Sequence, residues 1–300
     1  MKSKIYTKKA GSNNKKNNNN NKYSKTKVHT HSLHKNDNKN TINILSYNVS
    51  WESMTGKVSN WALCSNNTNI KSPKHYSVCV NNIANVINDL PETLDFITLQ
   101  EATNYEKLIE QSPLLKKMKY EKHKSELDEI VTFWLPKYKL LYSIKGKFEE
   151  GRAWLATIFT NGISQSRICL INLHMGHYDH HKEYLHLETL IFQIKEHIMK
   201  NEVSKKKSMK SMNGMIRYII SGDFNFDIKE LGSMNKKEGI ININGTRFYY
   251  NPKNVLTCCI NRRRHYDHVI DSETTPIDIT IPKVNYMASD HKPIIVKLLN

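Results

Sequence analysis

The segment Gly222-Asp223-Phe224-Asn225 follows the apolar run Ile216-Arg217-Tyr218-Ile219-Ile220. A buried strand that ends in Gly-Asp-x-Asn sets a carboxylate and an amide at one edge of a sheet. Such a pair can orient and deprotonate a water. Near the far end of the chain, Ser289-Asp290-His291 precedes Pro293-Ile294-Ile295-Val296 and puts a carboxylate beside an imidazole just before a strand. A third strand, Phe96-Ile97-Thr98-Leu99-Gln100, runs straight into the carboxylate of Glu101. Acidic groups at three strand ends suit a metal-dependent hydrolase, because hard divalent cations take oxygen ligands.

Three further segments have the same form: Leu45-Ser46-Tyr47-Asn48, Ile171-Asn172-Leu173-His174 and Tyr266-Asp267-His268-Val269. Any one alone is weak. Gly-Asp-x-Asn is common in turns, where Asp and Asn bond their own backbone. A single strand histidine is usually a satisfied core residue, and a lone Asn48 is more often a turn residue. Six polar clusters in order, each at a strand end, are hard to assign to chance.

The elements that must hold these residues follow from apolar patterning. Strands are expected at 42–49, 96–100, 130–135, 153–160, 168–173, 216–221, 266–270 and 293–298, each rich in Ile, Val, Leu, Phe or Tyr and bounded by polar turns. Ile83, Val86, Ile87 and Leu90 repeat at helical spacing before Pro91. Leu187, Leu190, Ile191, Ile194 and Ile198 do the same. Strands interleaved with few helices predict an α/β (α+β) domain of two or more layers. Residues 1–40 are rich in Lys, Asn, Ser, Thr and His, with little that could pack. They read as a disordered tail, and the folded domain is expected over 41–300.

The ordered set of strand-end motifs resembles the endonuclease/exonuclease/phosphatase superfamily, the deoxyribonuclease-I-like fold, over about residues 42–298. The resemblance implies two packed mixed β-sheets flanked by helices in a four-layer sandwich. It implies hydrolysis of phosphoric esters with Mg²⁺, or Mn²⁺ in its place. Residue by residue, it implies Glu101 as metal ligand, with Asn48 near metal and phosphate and Asp290 binding metal or supporting the site. Asp223 matches the general base, and Asn225 the residue that orients the water or touches the phosphate. His174 and His291 match the imidazoles that contact the phosphate, with Asp267 supporting. Many members carry Arg-Ile-Asp where this chain has His265-Tyr266-Asp267 after Arg262-Arg263-Arg264, so a displaced guanidinium is expected here.

The chain has 300 residues, a formal charge of +17 and a pI near 9.5. Residues 1–40 hold eleven Lys and one Asp, net +10, which leaves 17 − 10 = +7 for the rest. Basic charge favours polyanions, nucleic acid before acidic membrane. A biased coding genome explains the tail equally well. No apolar run nears the ~20 residues of a membrane span, and no secretory signal is visible, so an intracellular protein is expected. Five Cys without such a signal suggest reduced thiols. No obligate protein partner is indicated.

Several features stay open. Residues 174–186 hold His174, His177, His180, His181 and His186. A zinc site there is conceivable, but a polar loop beside the site, with His177 near substrate, is favoured. Trp51, Trp61, Trp134 and Trp154 could stack bases or fill cores, and Trp51 is the best rim candidate. Arg152 could reach a phosphate or be an ordinary surface residue. Lys205–Ser211 reads as a basic surface loop. The expected function is a nuclease on DNA or RNA. The alternatives are a phosphatase or phospholipase on inositol phosphates or sphingomyelin, and an inactive nucleic-acid-binding module.

Overall fold

The computed structural model describes residues 41–55, 76–90, 93–161, 166–204, 215–232, 239–253, 255–259, 264–273, 277–283 and 289–299. The tail, Trp61, the Lys205–Ser211 loop, Arg262 and Arg263 lie outside the described residues. One compact unit spans Asn40–Asn300.

Thirteen strands and six helices occur among the described residues: β1 (Thr41–Asn48), α1 (Trp51–Thr55), α2 (Tyr76–Asn88), β2 (Phe96–Gln100), α3 (Tyr105–Gln111), α4 (Pro113–Lys117), β3 (Lys119–Lys124), β4 (Glu129–Trp134), β5 (Tyr138–Lys147), β6 (Ala153–Asn161), β7 (Arg167–His174), α5 (His180–Ser204), β8 (Ile216–Asp223), α6 (Ile228–Gly232), β9 (Ile240–Ile243), β10 (Thr246–Tyr249), β11 (Asp267–Asp271), β12 (Ile279–Thr280) and β13 (Ile294–Leu299). They form two sheets. One has six strands in the order β12-β13-β1-β2-β4-β3, and the other has seven in the order β5-β6-β7-β8-β11-β10-β9.

Alternation along the strands builds the layers. Ile42 and Ile44 of β1 join Phe96, Phe159, Ile168, Leu170, Ile219 and Val296 in a core between the sheets. Leu45 and Tyr47 face the other way, onto Val80, Ile83 and Ile87 of α2 and Leu108 of α3. On the second sheet, Ile171, Leu173 and Ile220 meet Leu187, Ile191 and Ile194 of α5. Two sheets inside two helical layers are the expected sandwich. All eight expected strands form, with ends shifted by a residue or two.

Most elements that patterning left out are short or exposed; β5, ten residues of mixed burial at the edge of the seven-stranded sheet, is the exception. β3, Lys-Tyr-Glu-Lys-His-Lys, is a charged strand at the sheet edge, where charge blocks further pairing. β9 and β10 pair through Asn244-Gly245, both at positive φ (46° and 69°), the residue pair a two-residue hairpin turn prefers. The cysteines differ from expectation. Cys258 and Cys259 are joined to each other, Cys79 is also disulfide-bonded, and Cys169 is free and buried. The thiol argument for an intracellular protein therefore falls. No helix among the described residues is long and apolar enough to cross a membrane.

Candidate phosphoester-hydrolysis site

Pairing registers bring the site residues to one end of the sandwich. β1 and β2 run parallel with Asn48 opposite Gln100. β7 and β8 run parallel with His174 opposite Asp223, and β11 places Asp267 beside Asp223 on its other flank. The sheets are tied together near this end by polar side chains. Thr98 Oγ1 lies 2.7 Å from Ser221 Oγ, and Gln100 Nε2 donates to Asn172 Oδ1 at 2.8 Å. Such buried pairs fix the relative position of the sheets because breaking one strands a polar atom in the core.

Gly222 is required by the backbone. Its φ is +151°, and a Cβ there would stand 2.0 Å from the Leu173 carbonyl oxygen. This close approach of β8 to β7 precedes Asp223 directly. The loop then turns through Asn225 at φ +58°, whose Nδ2 donates to the Met175 carbonyl at 2.6 Å. That amide therefore ties the loop to the end of β7.

Asp223 is buried at 1% exposure and contacted by four residues. Asn48 Nδ2 donates to Oδ2 at 2.9 Å, and the Asn225 backbone N–H donates to Oδ1 at 2.9 Å. His291 Nε2 and His174 Nε2 lie 3.5 and 3.6 Å from Oδ2. Burial pushes the Asp223 carboxyl up. The charges of His291 and His174 and the hydrogen bonds from Asn48 and Asn225 outweigh it and hold the group below the usual carboxylate range.

Each imidazole has its own carboxylate. His291 Nδ1 is 2.9 Å from Asp267 Oδ2, and His174 Nδ1 is 2.9 Å from Asp128 Oδ2. Burial would lower His291, but the charges of Asp267 and Asp223 push it up to about 10. Burial likewise opposes protonation of His174, and Asp128, Asp223 and Glu101 raise it. Asp267 is itself raised, by burial first, with His291 acting against the shift. Asp267, expected as a supporting residue, is in direct contact with His291. The His291 backbone N–H donates to Ser289 Oγ, whose hydroxyl donates to the Asn48 carbonyl, so β1 and the loop before β13 are locked together.

Glu101 sits just past β2 at φ +56°, a backbone region costly for a non-glycine residue. The Trp51 backbone N–H donates to its Oε2 at 2.5 Å, and its own N–H donates to Asp128 Oδ1 at 3.1 Å. Asp290 is raised by burial, with His291 opposing and Glu101 adding to the rise. A carboxylate that feels the charge of a second one nearby, on a fixed backbone, fits a hard divalent cation. Asn48 is the weaker fit as a ligand. Its Oδ1 already accepts from the Ser50 N–H at 3.0 Å and its Nδ2 goes to Asp223.

Sequence reasoning missed Asp128. It precedes β4 in a polar turn, Ser125-Glu126-Leu127-Asp128, which carries no mark separating it from any solvated turn. Arg152, left open, proves to be part of the site: Nη1 is 2.8 Å from His174 Nε2 and 3.3 Å from Glu101 Oε1. The histidines of 174–186 do not converge on one ion among the described residues. His174 is in the site. His177 lines a cleft of ~440 Å³ that also borders Asn225 and Tyr266, while His186 packs on Tyr178 and Phe148. Among the described tryptophans, Trp134 and Trp154 are buried core, while the half-buried Trp51 reaches the site through its backbone N–H to Glu101.

No family model matches the sequence. The chain is 29% identical over 264 residues to an uncharacterized protein of Acanthamoeba polyphaga mimivirus, covering 84% of this chain and 49% of that protein. It thus spans about half the length of the curated relative it matches. Among solved structures, truncated Caenorhabditis elegans TDP2 superposes with a TM-score of 0.59 at 11% identity, over 87% of this chain and 98% of that one. An endonuclease/exonuclease/phosphatase from Bacteroides vulgatus gives 0.58 at 14% identity, over 87% and 100%. The mannosyl-6-phosphatase of Bacteroides thetaiotaomicron gives 0.51 at 15% identity, over 86% and 100%. The chain has the endonuclease/exonuclease/phosphatase fold.

Proposed function

We propose that this chain is a divalent-metal-dependent phosphoester hydrolase of the endonuclease/exonuclease/phosphatase superfamily, and that its substrate is the phosphodiester of DNA or RNA. The observation that carries the reading is the setting of Asp223: one ionised carboxylate with two imidazoles within 3.6 Å of the same oxygen. Asp223 takes the proton of the attacking water, which Asn225 orients. Proton transfer by a positioned base is worth roughly 10²–10⁴-fold. His291 and His174, whose protonated forms Asp267 and Asp128 favour, donate to the phosphate oxygens where negative charge builds in the transition state. Glu101 and Asp290 would hold Mg²⁺, and Mn²⁺ would serve in its place. The ion would supply charge neutralisation at the phosphate.

Nucleic acid is favoured by charge. Beyond the tail the chain still carries +7, and a polyanion substrate rewards that through counterion release. A second reading, a phosphatase on a small phosphate ester, is favoured by the likeness to a mannosyl-6-phosphatase. The test is a hydrolysis panel with Mg²⁺ over single- and double-stranded DNA, RNA, a sugar phosphate, inositol polyphosphates and sphingomyelin, at two salt concentrations. Cleavage of a nucleic acid that weakens steeply with salt supports the first reading. Turnover of a small or lipid ester alone replaces the substrate and leaves the site standing.

A further inference from the structure

We propose that Asp227, His265 and His268 form a transition-metal site, suited to Zn²⁺, that is separate from the phosphate centre and independent of the reading above. One ligand atom from each of the three residues lies within 4.8 Å of the others. Asp227 Oδ1 stands 3.5 Å from His265 Nδ1, and the two imidazole rings are 4.2 Å apart at their centroids. Tetrahedral zinc with bonds of ~2.0–2.1 Å places its ligand atoms about 3.3 Å apart, so small side-chain adjustments close the site.

The second observation is His265 itself. It is 3% exposed; its Nε2 has no hydrogen-bond partner, and its Nδ1 meets the Asp227 carboxylate at 3.5 Å, too far for a full hydrogen bond. A buried imidazole left in that state is costly, because its ring nitrogens have given up water for a long contact on one side and none on the other. A metal ion would remove that cost. His268 is already anchored as a metal-binding histidine usually is. Its Nε2 lies 3.0 Å from both the Phe226 and His265 carbonyl oxygens and 3.4 Å from the Ile228 N–H, so backbone groups hold the ring in place. Two imidazoles and a carboxylate are borderline donors that select zinc-like ions over Mg²⁺. Asp227 and His265 also line the ~440 Å³ cleft, with Glu230 on its wall, so an ion has an entry path and room for a fourth ligand.

The placement gives the site a purpose. Asp227 lies two residues after Asn225, and His265 two residues before Asp267. The two segments already meet through the Phe224 N–H and the Tyr266 carbonyl at 2.8 Å. A bound ion would clamp the loop that carries Asn225 onto the strand that holds His291 through Asp267.

The test uses the full chain, stripped with a chelator and then equilibrated with Zn²⁺ or with Co²⁺ as a spectroscopic probe. Wild type, His265→Gln and Asp227→Asn are compared, so that ions bound elsewhere cancel. The expected result is one equivalent less metal in each variant, loss of the visible Co²⁺ bands seen in wild type, and a Zn²⁺-dependent rise in Tm present only in wild type. Asp227 is partly exposed, so its variant remains informative should His265→Gln fail to fold. Equal metal content and unchanged Co²⁺ spectra in the variants would overturn the site, as would a wild-type Tm indifferent to Zn²⁺.

Discussion

Two imidazoles reach the same oxygen of Asp223, at 3.5 Å from His291 and 3.6 Å from His174, and they are held in different ways. His291 sits between Asp267 and Asp223, with the sulfur of Cys258 at 3.3 Å. Among the described residues no guanidinium touches it. His174 is paired with Asp128 and also borders Glu101 at 3.7 Å and Arg152 at 2.8 Å. A permanent cation beside His174 works against its protonation, while the carboxylates around it work for protonation. The difference separates two jobs. His291 is a proton-holding donor whose charge is secured by anions alone. His174 stands on the Glu101 side, where Arg152 contributes positive charge and the proposed metal ion would add to it.

The most damaging way to break the comparison is to remove what both imidazoles face. Asp223→Asn keeps the shape and loses the base, and steady-state rates should fall by roughly 10²–10⁴-fold. Replacing the donors one at a time comes next. His291→Gln and His174→Gln should each cost about 10²–10³-fold in kcat, and the double variant should cost less than the product of the two, since both act on one phosphate.

The carboxylates sharpen the contrast. Asp267→Asn removes the largest support of the His291 charge, so the alkaline limb of the pH–rate profile should move from near pH 10 toward the ordinary imidazole range. The same pair makes stability pH-dependent. Its folded pKa lies above the unfolded value of 6.5, so its contribution is complete below that pH and is lost as pH rises toward 10. Thermal melts across that window should show a decline in wild type that flattens in Asp267→Asn. The smallest effect belongs to Arg152→Gln. It should raise the basicity of His174 and change KM by only a few-fold, because a part-exposed guanidinium is partly screened by water.

Most of this architecture was legible before the fold was seen, for definable reasons. Long apolar strands such as Ile168–Leu173 announce themselves because both faces are buried, and the helix over Leu187–Ile198 because one face is. The polar residues that end those strands were legible because a strand end fixes where a side chain goes. Asp223, His174 and Glu101 are therefore placed by their strands. Asp128 was not legible, since it enters the site from a turn whose composition is that of any solvated loop. Its role depends on β4 pairing with β2 and bringing Glu101 and His174 within reach. The histidine-rich stretch 174–186 and the Asp227 cluster show the opposite relation between sequence and space. The stretch crowds its ligand types in sequence, but the turn into α5 scatters them, while His265 and His268, unremarkable in sequence, meet Asp227 in space.

The central claim is that Asp223 is the base of a metal-dependent phosphoester hydrolysis, and the most direct measurement is the Mg²⁺-dependent rate of wild type against Asp223→Asn on the best substrate of the panel. Chelation should abolish the wild-type rate and Mg²⁺ restore it, while the variant stays at least about 10²-fold slower at saturating Mg²⁺ with an unchanged fold. A folded Asp223→Asn protein that retains the wild-type rate would contradict it.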